Sequence, residues 1–385
     1  MSASPTEYLA ARRALEEAKD DNGNPWSFGL EDPAVWNRTI GSGGFGIVSE
    51  LVARVGLKPV PGRKGRVYKR IRSQKPTETD QDWEERRQTC VEAMEKEIEM
   101  LLRIQLAGVP GVIGIEAAPT IDGSPAIVMQ HCGQYNLAEL GRPERDFYRD
   151  LMCQVMMALI ALARAGFMHG DVKASNVMVI PRTKDGSPVP GLNPYHGVCA
   201  YFSAMLIDLG TAQQCDQAGN VGETKAATEG HIDVQEVARI FASENDRAVS
   251  EVNGFQLDTF AWAGMATCTF SDVFHAGVHT IGGIRKKAVI PDELKNQADL
   301  MKRCVSFRLS DRPSPEEVEQ HALIQDWKVN GLSQKAQRSQ TARSTGGAGA
   351  GGSSSGGQAN AAGGAAGDPS PSPLQKPPAQ ADEDD

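Results

Sequence analysis

The run Phe167-Met-His-Gly-Asp171-Val-Lys173-Ala-Ser-Asn176-Val-Met178 constrains this chain more than any other. An acid, a lysine and an amide fall within six residues, between two apolar stretches. Upstream, Asp146–Ala165 carries Phe147, Leu151, Val155, Leu159 and Leu162 at helical spacing, and downstream Val177-Met178 opens a short strand. The polar run is therefore expected to be a loop between two core elements. Its three groups are those needed to accept a hydroxyl proton, neutralise a transferring phosphoryl group and hold a metal ion.

Three further signals converge on the same chemistry. Gly41-Ser42-Gly43-Gly44-Phe45-Gly46-Ile47-Val48 fits G-x-G-x-x-G-x-V, a pattern in which backbone amides close over phosphates without a Cβ in the way. A dinucleotide-binding reading needs a helix after the glycines, whereas Ile47–Val52 has strand character, so the loop is expected to join a hairpin. Lys69 sits inside the apolar strand Val67–Ile71, and a buried lysine needs an anionic partner. The long charged segment Thr79–Ile104 has an apolar stripe at Met94, Ile98, Leu101 and Leu102, and it offers Glu97, with Glu95 and Glu99 as alternatives. Finally, Met205-Leu-Ile-Asp208-Leu209-Gly210 ends an apolar strand in a carboxylate, where a Mg²⁺ ligand would sit.

In this order and spacing the chain resembles the eukaryotic-like Ser/Thr protein kinase family over roughly residues 36–327. The resemblance implies ATP and Mg²⁺ as cofactors. Gly41, Ser42, Gly43, Gly44, Phe45, Gly46 and Val48 would cover the nucleotide, and Lys69 would contact its α- and β-phosphates while paired with Glu97. Asp171 would accept the proton of the substrate hydroxyl, Lys173 would contact the γ-phosphate, and Asn176 and Asp208 would hold the metal. Met129, Gln130 and Cys132 would form the hinge beside adenine, with Met129 as gatekeeper. Asp258, in Gln256–Gly264, would anchor the loop near His169, and Leu101, His169 and Leu209 would belong to an internal spine. Lys173, two residues after Asp171, matches the Ser/Thr-specific form, so a protein substrate is implied.

The pattern departs from the family in four places. Gly170 stands where an arginine is usual, and Leu209 where a phenylalanine is usual. Thr228–Glu236 occupies the place of the Ala-Pro-Glu ending, leaving Glu236 as a candidate partner for Arg312, and Pro181–Phe202 is a Gly/Pro-rich insertion. Lacking an arginine clamp at 170, activity is expected not to depend on phosphorylation of Thr224 or Thr228. His-Gly-Asp is also the loop form of small-molecule kinases of the aminoglycoside and choline type, and a pseudokinase scaffold is the noncatalytic alternative.

Strands first and helices later indicate an α+β chain with two unequal lobes. The expected organisation is an N-terminal extension over 1–35 and a kinase domain over 36–330. Within it, a β-rich N-lobe with one long helix spans about 36–131 and a mainly helical C-lobe about 132–330. A disordered tail is expected over 331–385, where no aromatic residue occurs and Gly, Ala, Ser and Pro dominate before an acidic end. The net charge of −9 argues against nucleic acid or an anionic membrane as a partner. No apolar run reaches the ~20 residues of a membrane helix, no secretory signal is visible, and the seven scattered cysteines suit a reduced cytoplasmic setting. That leaves room for non-Sec export to a host; the oligomeric state is not read from sequence.

Overall fold

The computed structural model describes residues 4–19, 36–42, 46–51, 54–55, 58–59, 66–121, 123–130, 132–133, 135–140, 145–183, 202–221, 252–269, 295–306 and 311–334. The chain divides into two compact units, Met1–Ala342 and Arg343–Asp385. The second, and with it nearly all of the tail expected from composition, lies outside the described residues.

The first unit is a mixed α+β structure. Helix α1 (Pro5–Glu16) opens it, followed by β1 (Trp36–Ser42), β2 (Ile47–Leu51), the short pair β3 (Arg54–Val55) and β4 (Lys58–Pro59), and β5 (Arg66–Arg70). The long helix α2 (Asp80–Leu106) precedes β6 (Ile115–Ala117), β7 (Thr120–Ile121) and β8 (Ser124–Gln130). Apart from the separate β3–β4 pair, these strands form an antiparallel sheet of order β1-β2-β5-β8-β6, with β7 paired to β8. In its centre Lys69 lies opposite Val48 on one side and Ile127 on the other, while Val67 faces Met129.

Helix α2 begins where Thr79 caps it, its side chain accepting the backbone N–H of Asp82. Cys90, Met94, Ile98, Leu101 and Ile104 are all at most 2% exposed and recur at three- and four-residue intervals. Each such side chain contributes about 1.5–3 kcal/mol on burial. Together they fix the rotation of the helix, and Glu97, three residues after Met94 and four before Leu101, is carried inward with them.

The remainder is mainly helical. Helix α3 (Arg145–Arg164) leads into β9 (Phe167–Met168), a single 3₁₀ turn at Ala174–Asn176, and the antiparallel pair β10 (Val177–Pro181) and β11 (Phe202–Leu206). Because Pro181 pairs with Phe202, the expected insertion leaves and re-enters the fold at one point of a hairpin. Its interior, 184–201, lies outside the described residues. Then come β12 (Gln213–Gln214), β13 (Asn220–Val221), β14 (Val252–Asn253), α4 (Gly254–Thr269), α5 (Lys295–Cys304), α6 (Pro315–Gln320) and α7 (Ala322–Asn330). Trp262 of α4 is fully buried and donates its indole N–H to the Met152 carbonyl of α3 at 3.0 Å. One continuous cluster of buried side chains runs from Leu15 through Ile127 and Leu159 to Ile324, so sheet and helices share a core. Among the described residues no helix is long and apolar enough to cross a membrane.

Candidate functional site

Lys69 projects from the middle strand and meets carboxylates from two distant segments. Its Nζ donates to Glu97 Oε1 and Oε2 at 2.9 and 2.7 Å and to Asp208 Oδ1 at 2.9 Å. The sequence favours Glu97 over Glu95 and Glu99, and the helix phase separates the three. Glu97 faces Lys69, while Glu95 pairs outward with Arg12 and Glu99 with Arg103.

Glu97 is 4% exposed, and a carboxylate so deeply buried is tolerated only with a partner. Burial, reinforced by Asp208, holds its carboxyl above the usual value even against Lys69. For Lys69 burial favours the neutral amine, but the two carboxylates outweigh it and hold the pKa well above that of an ordinary lysine. Asp208 is likewise opposed by burial, and Lys69 draws it below the usual carboxyl range. One cation thus serves two carboxylates. The surplus negative charge lies on Asp208, whose side chain is 45% exposed.

Asp208 adopts φ +62°, a left-handed conformation that Asp tolerates better than most residues. It lies two residues past the end of β11, and the intervening Ile207 N–H donates to the Asn176 carbonyl at 3.0 Å. The ends of β10 and β11 therefore bring Asp208 and Asn176 side by side.

The loop after β9 is held from several directions. Asp258 of α4 accepts the backbone N–H groups of His169 and Gly170 at 2.7 and 2.9 Å. The His169 ring accepts the Asp171 N–H at Nδ1 (3.2 Å), which leaves Nε2–H to donate to the Ile207 carbonyl at 3.1 Å. Thr211 closes the loop by donating Oγ1–H to the His169 carbonyl at 3.1 Å. Asn176 Nδ2 donates to the Asp171 carbonyl and to Asp171 Oδ2, both at 2.9 Å, and Lys173 Nζ lies 2.7 Å from the same Oδ2. Asp171, Lys173 and Asn176 thus act as one oriented cluster.

Gly170 explains one departure from the expected motif. Its φ is +81°, and a Cβ there would lie 2.8 Å from the Thr211 carbonyl oxygen. Any side chain there, arginine included, would be strained and would force the loop to shift. Leu101, His169 and Leu209 are all at most 1% exposed.

Of the expected nucleotide loop, Gly41 and Ser42 end β1, opposite Val48 and Ile47. Gly46 is buried where β2 begins, and a Cβ on it would meet the Arg70 carbonyl oxygen at 2.8 Å, so the close approach of β5 requires glycine. Gly43, Gly44 and Phe45 lie outside the described residues. Met129 and Cys132 are each 7% exposed, and Gln130 ends β8 between them, its carbonyl 3.3 Å from Cys132 Sγ. Burial pushes the Cys132 thiol up to about 12, so it is no nucleophile at neutral pH. Arg312 is buried, with Nε and Nη1 donating to the Ser306 and Gln256 carbonyls and its guanidinium over the Phe260 ring. Its expected partner Glu236 lies outside the described residues, as do Thr224 and Thr228.

The donor set fits a hard divalent cation. Asn176 commits its amide nitrogen to Asp171, which leaves its side-chain oxygen to accept, and Asp208 offers a half-exposed carboxylate. Mg²⁺ is commonly held by one or two such oxygens, with phosphates and waters completing the shell. Among the described residues no group of three or more His, Cys, Asp or Glu forms a closed cage. Two groups were not anticipated from sequence, the Thr211 hydroxyl and the Ile207 carbonyl, both of which fix the loop through backbone contacts that leave no local pattern. A scan against protein-family models and a search of curated proteins each found no match.

Proposed function

We propose that this chain transfers the γ-phosphoryl group of ATP to Ser/Thr hydroxyls of a protein substrate, on a two-lobed protein kinase fold. In this reading the sheet with α2 is the N-lobe, about 36–131, and the helical remainder the C-lobe, about 132–330. The observation that carries it is the meeting of Lys69, Glu97 and Asp208 at hydrogen-bond distance, from a strand, a helix and a strand end up to 139 residues apart. Such convergence has a structural cost, because it buries charge, and it assembles the groups that phosphoryl transfer requires.

Lys69, held by Glu97, neutralises phosphate oxygens and orients the nucleotide. Asp171, oriented by Asn176 and Lys173, receives the proton of the attacking hydroxyl, and Lys173 stands ready for the charge that develops on the transferred group. Asp208 and Asn176 would hold Mg²⁺, which when bound screens the phosphate charge. The chain's own contribution is chiefly position and charge, with no covalent intermediate needed.

The deciding experiment is transfer of radiolabel from ATP with Mg²⁺ to a generic protein substrate. Label on serine or threonine, lost in Asp171→Ala and Lys69→Ala, is the expected result. Nucleotide binding with label reaching only a small acceptor would assign the aminoglycoside/choline-type activity instead. Nucleotide-free behaviour of a folded wild type would leave a scaffold.

A further inference from the structure

Helix α1 is capped from both directions. Ser4 Oγ accepts the Glu7 N–H at 3.2 Å, Glu7 accepts the Ser4 N–H at 2.8 Å, and Pro5 takes the first helical position. Even so, twelve residues are too few for a stable isolated helix, so its persistence depends on what it docks against.

It docks on α2 and on the sheet edge together. Arg12 bridges its own Glu16 at 2.7 Å and Glu95 of α2 at 2.8 Å, with only 18% of its side chain exposed. The Arg103 guanidinium of α2 lies 4.9 Å over the Tyr8 ring. At the other end Leu15 is buried in the shared core, and its carbonyl accepts the Ala118 N–H, just past β6, at 3.0 Å.

These contacts bear on the site through the spacing of three acids. Glu95 goes to α1, Glu97 to Lys69, and Glu99 to Arg103, which itself stacks on Tyr8. A shift of α2 along its axis, or a rotation about it, cannot preserve the Glu97–Lys69 contact while breaking the α1 contacts, because all are rigidly spaced on one helix. The sheet edge that α1 also grips belongs to the same sheet as Lys69.

We infer that α1 is a built-in positioning element: Arg12 and Tyr8 hold α2 against the sheet at the setting that keeps Glu97 on Lys69. This inference rests on the phosphoryl-transfer reading for its consequence to rate, but not for its mechanical content.

The test uses the full chain with Arg12→Ala plus Tyr8→Ala, with Glu95→Gln as an approach from the α2 side and Arg12→Lys as the conservative control. Three quantities are read: hydrogen exchange of amides 94–104, labelling of Lys69 by an amine-acylating reagent followed by mass spectrometry, and kcat and KM for ATP. The double variant is expected to exchange faster in 94–104 and to label Lys69 several-fold faster. A displaced catalytic group loses about 10- to 100-fold in rate, so kcat should fall by that order while KM for ATP moves less. Arg12→Lys should restore most of all three. Unchanged exchange and labelling in a folded double variant would overturn the inference. So would an active wild type whose kcat ignores the substitutions. An inactive wild type with altered exchange and labelling would instead sink the phosphoryl-transfer reading and leave the positioning role standing.

Discussion

Asp258 holds the backbone of His169, its Oδ2 accepting that N–H at 2.7 Å from 89 residues downstream, while Oδ1 takes the next N–H at 2.9 Å. The carboxylate is 3% exposed and is the one charged side chain of helix α4, and those two donors are what satisfy it. Asp258→Ala strands both, and each unsatisfied buried group costs about 1–3 kcal/mol. A stability loss of about 2–6 kcal/mol is expected, measured by denaturant unfolding. Asp258→Asn retains one acceptor and should lose less stability, yet still release the loop and lower kcat.

The buried pair Lys69–Glu97 separates stability from activity. Glu97→Leu alone leaves Lys69 with Asp208, whereas Lys69→Met alone leaves Glu97 buried without its cation, and breaking such a pair costs about 3–5 kcal/mol. Replacing both by apolar residues is often neutral. The double variant Lys69→Met/Glu97→Leu should therefore unfold closer to the wild-type midpoint than Lys69→Met does, short of it by the lost Lys69–Asp208 contact, and transfer no phosphate. A double variant as unstable as Lys69→Met would refute this account of the pair.

Much of the site is legible in sequence because its groups come in short runs whose order is itself informative: Asp171, Lys173 and Asn176 in one loop, Asp208 at a strand end. The apolar stripe in the sequence already favours Glu97 over Glu95 and Glu99, and the buried face that extends back to Cys90 fixes Glu97 inward. The role of α1 was not legible. Arg12–Glu95 joins two exposed-looking charges 83 residues apart, and nothing local marks such a pair. Gly170 was visible as a missing arginine, but its cause, a positive φ beneath the Thr211 carbonyl, is a property of the folded backbone.

That cause makes Gly170 testable. Gly170→Ala forces a Cβ to 2.8 Å from a carbonyl oxygen at φ +81° and should cost about 1–3 kcal/mol. The loop must shift, so Asp171 loses its register and activity should fall further than stability alone explains; calorimetry and single-turnover kinetics at a temperature where the variant is folded separate the two. Since glycine at 170 supplies no cationic clamp for a phosphate, Thr224→Ala/Thr228→Ala should retain wild-type activity, and loss of activity in a folded double variant would refute this expectation.

The two carboxylates around Lys69 are shifted in opposite directions. Burial raises Glu97 above its ordinary 4.5, so the folded chain binds that proton more tightly than the unfolded one. Ionised Glu97 is thus a cost carried at neutral pH, and it is relieved as pH falls through its folded value. Asp208 has the opposite sign. Burial opposes its charge, but Lys69 prevails and lowers it below 3.8, so its contribution is present above 3.8 and is lost only as pH falls through the lower folded value. Lys69, raised by both, keeps its charge throughout. Acidification should therefore neutralise Glu97 first, above pH 4.5, loosening its hold on Lys69 while Lys69–Asp208 persists below pH 3.8. Carboxyl-carbon NMR, assigned with Glu97→Gln and Asp208→Asn, should show those two midpoints in that order, with circular dichroism reporting a folded chain at the first. An Asp208 that titrates above Glu97 would show that burial, rather than the shared lysine, governs this site.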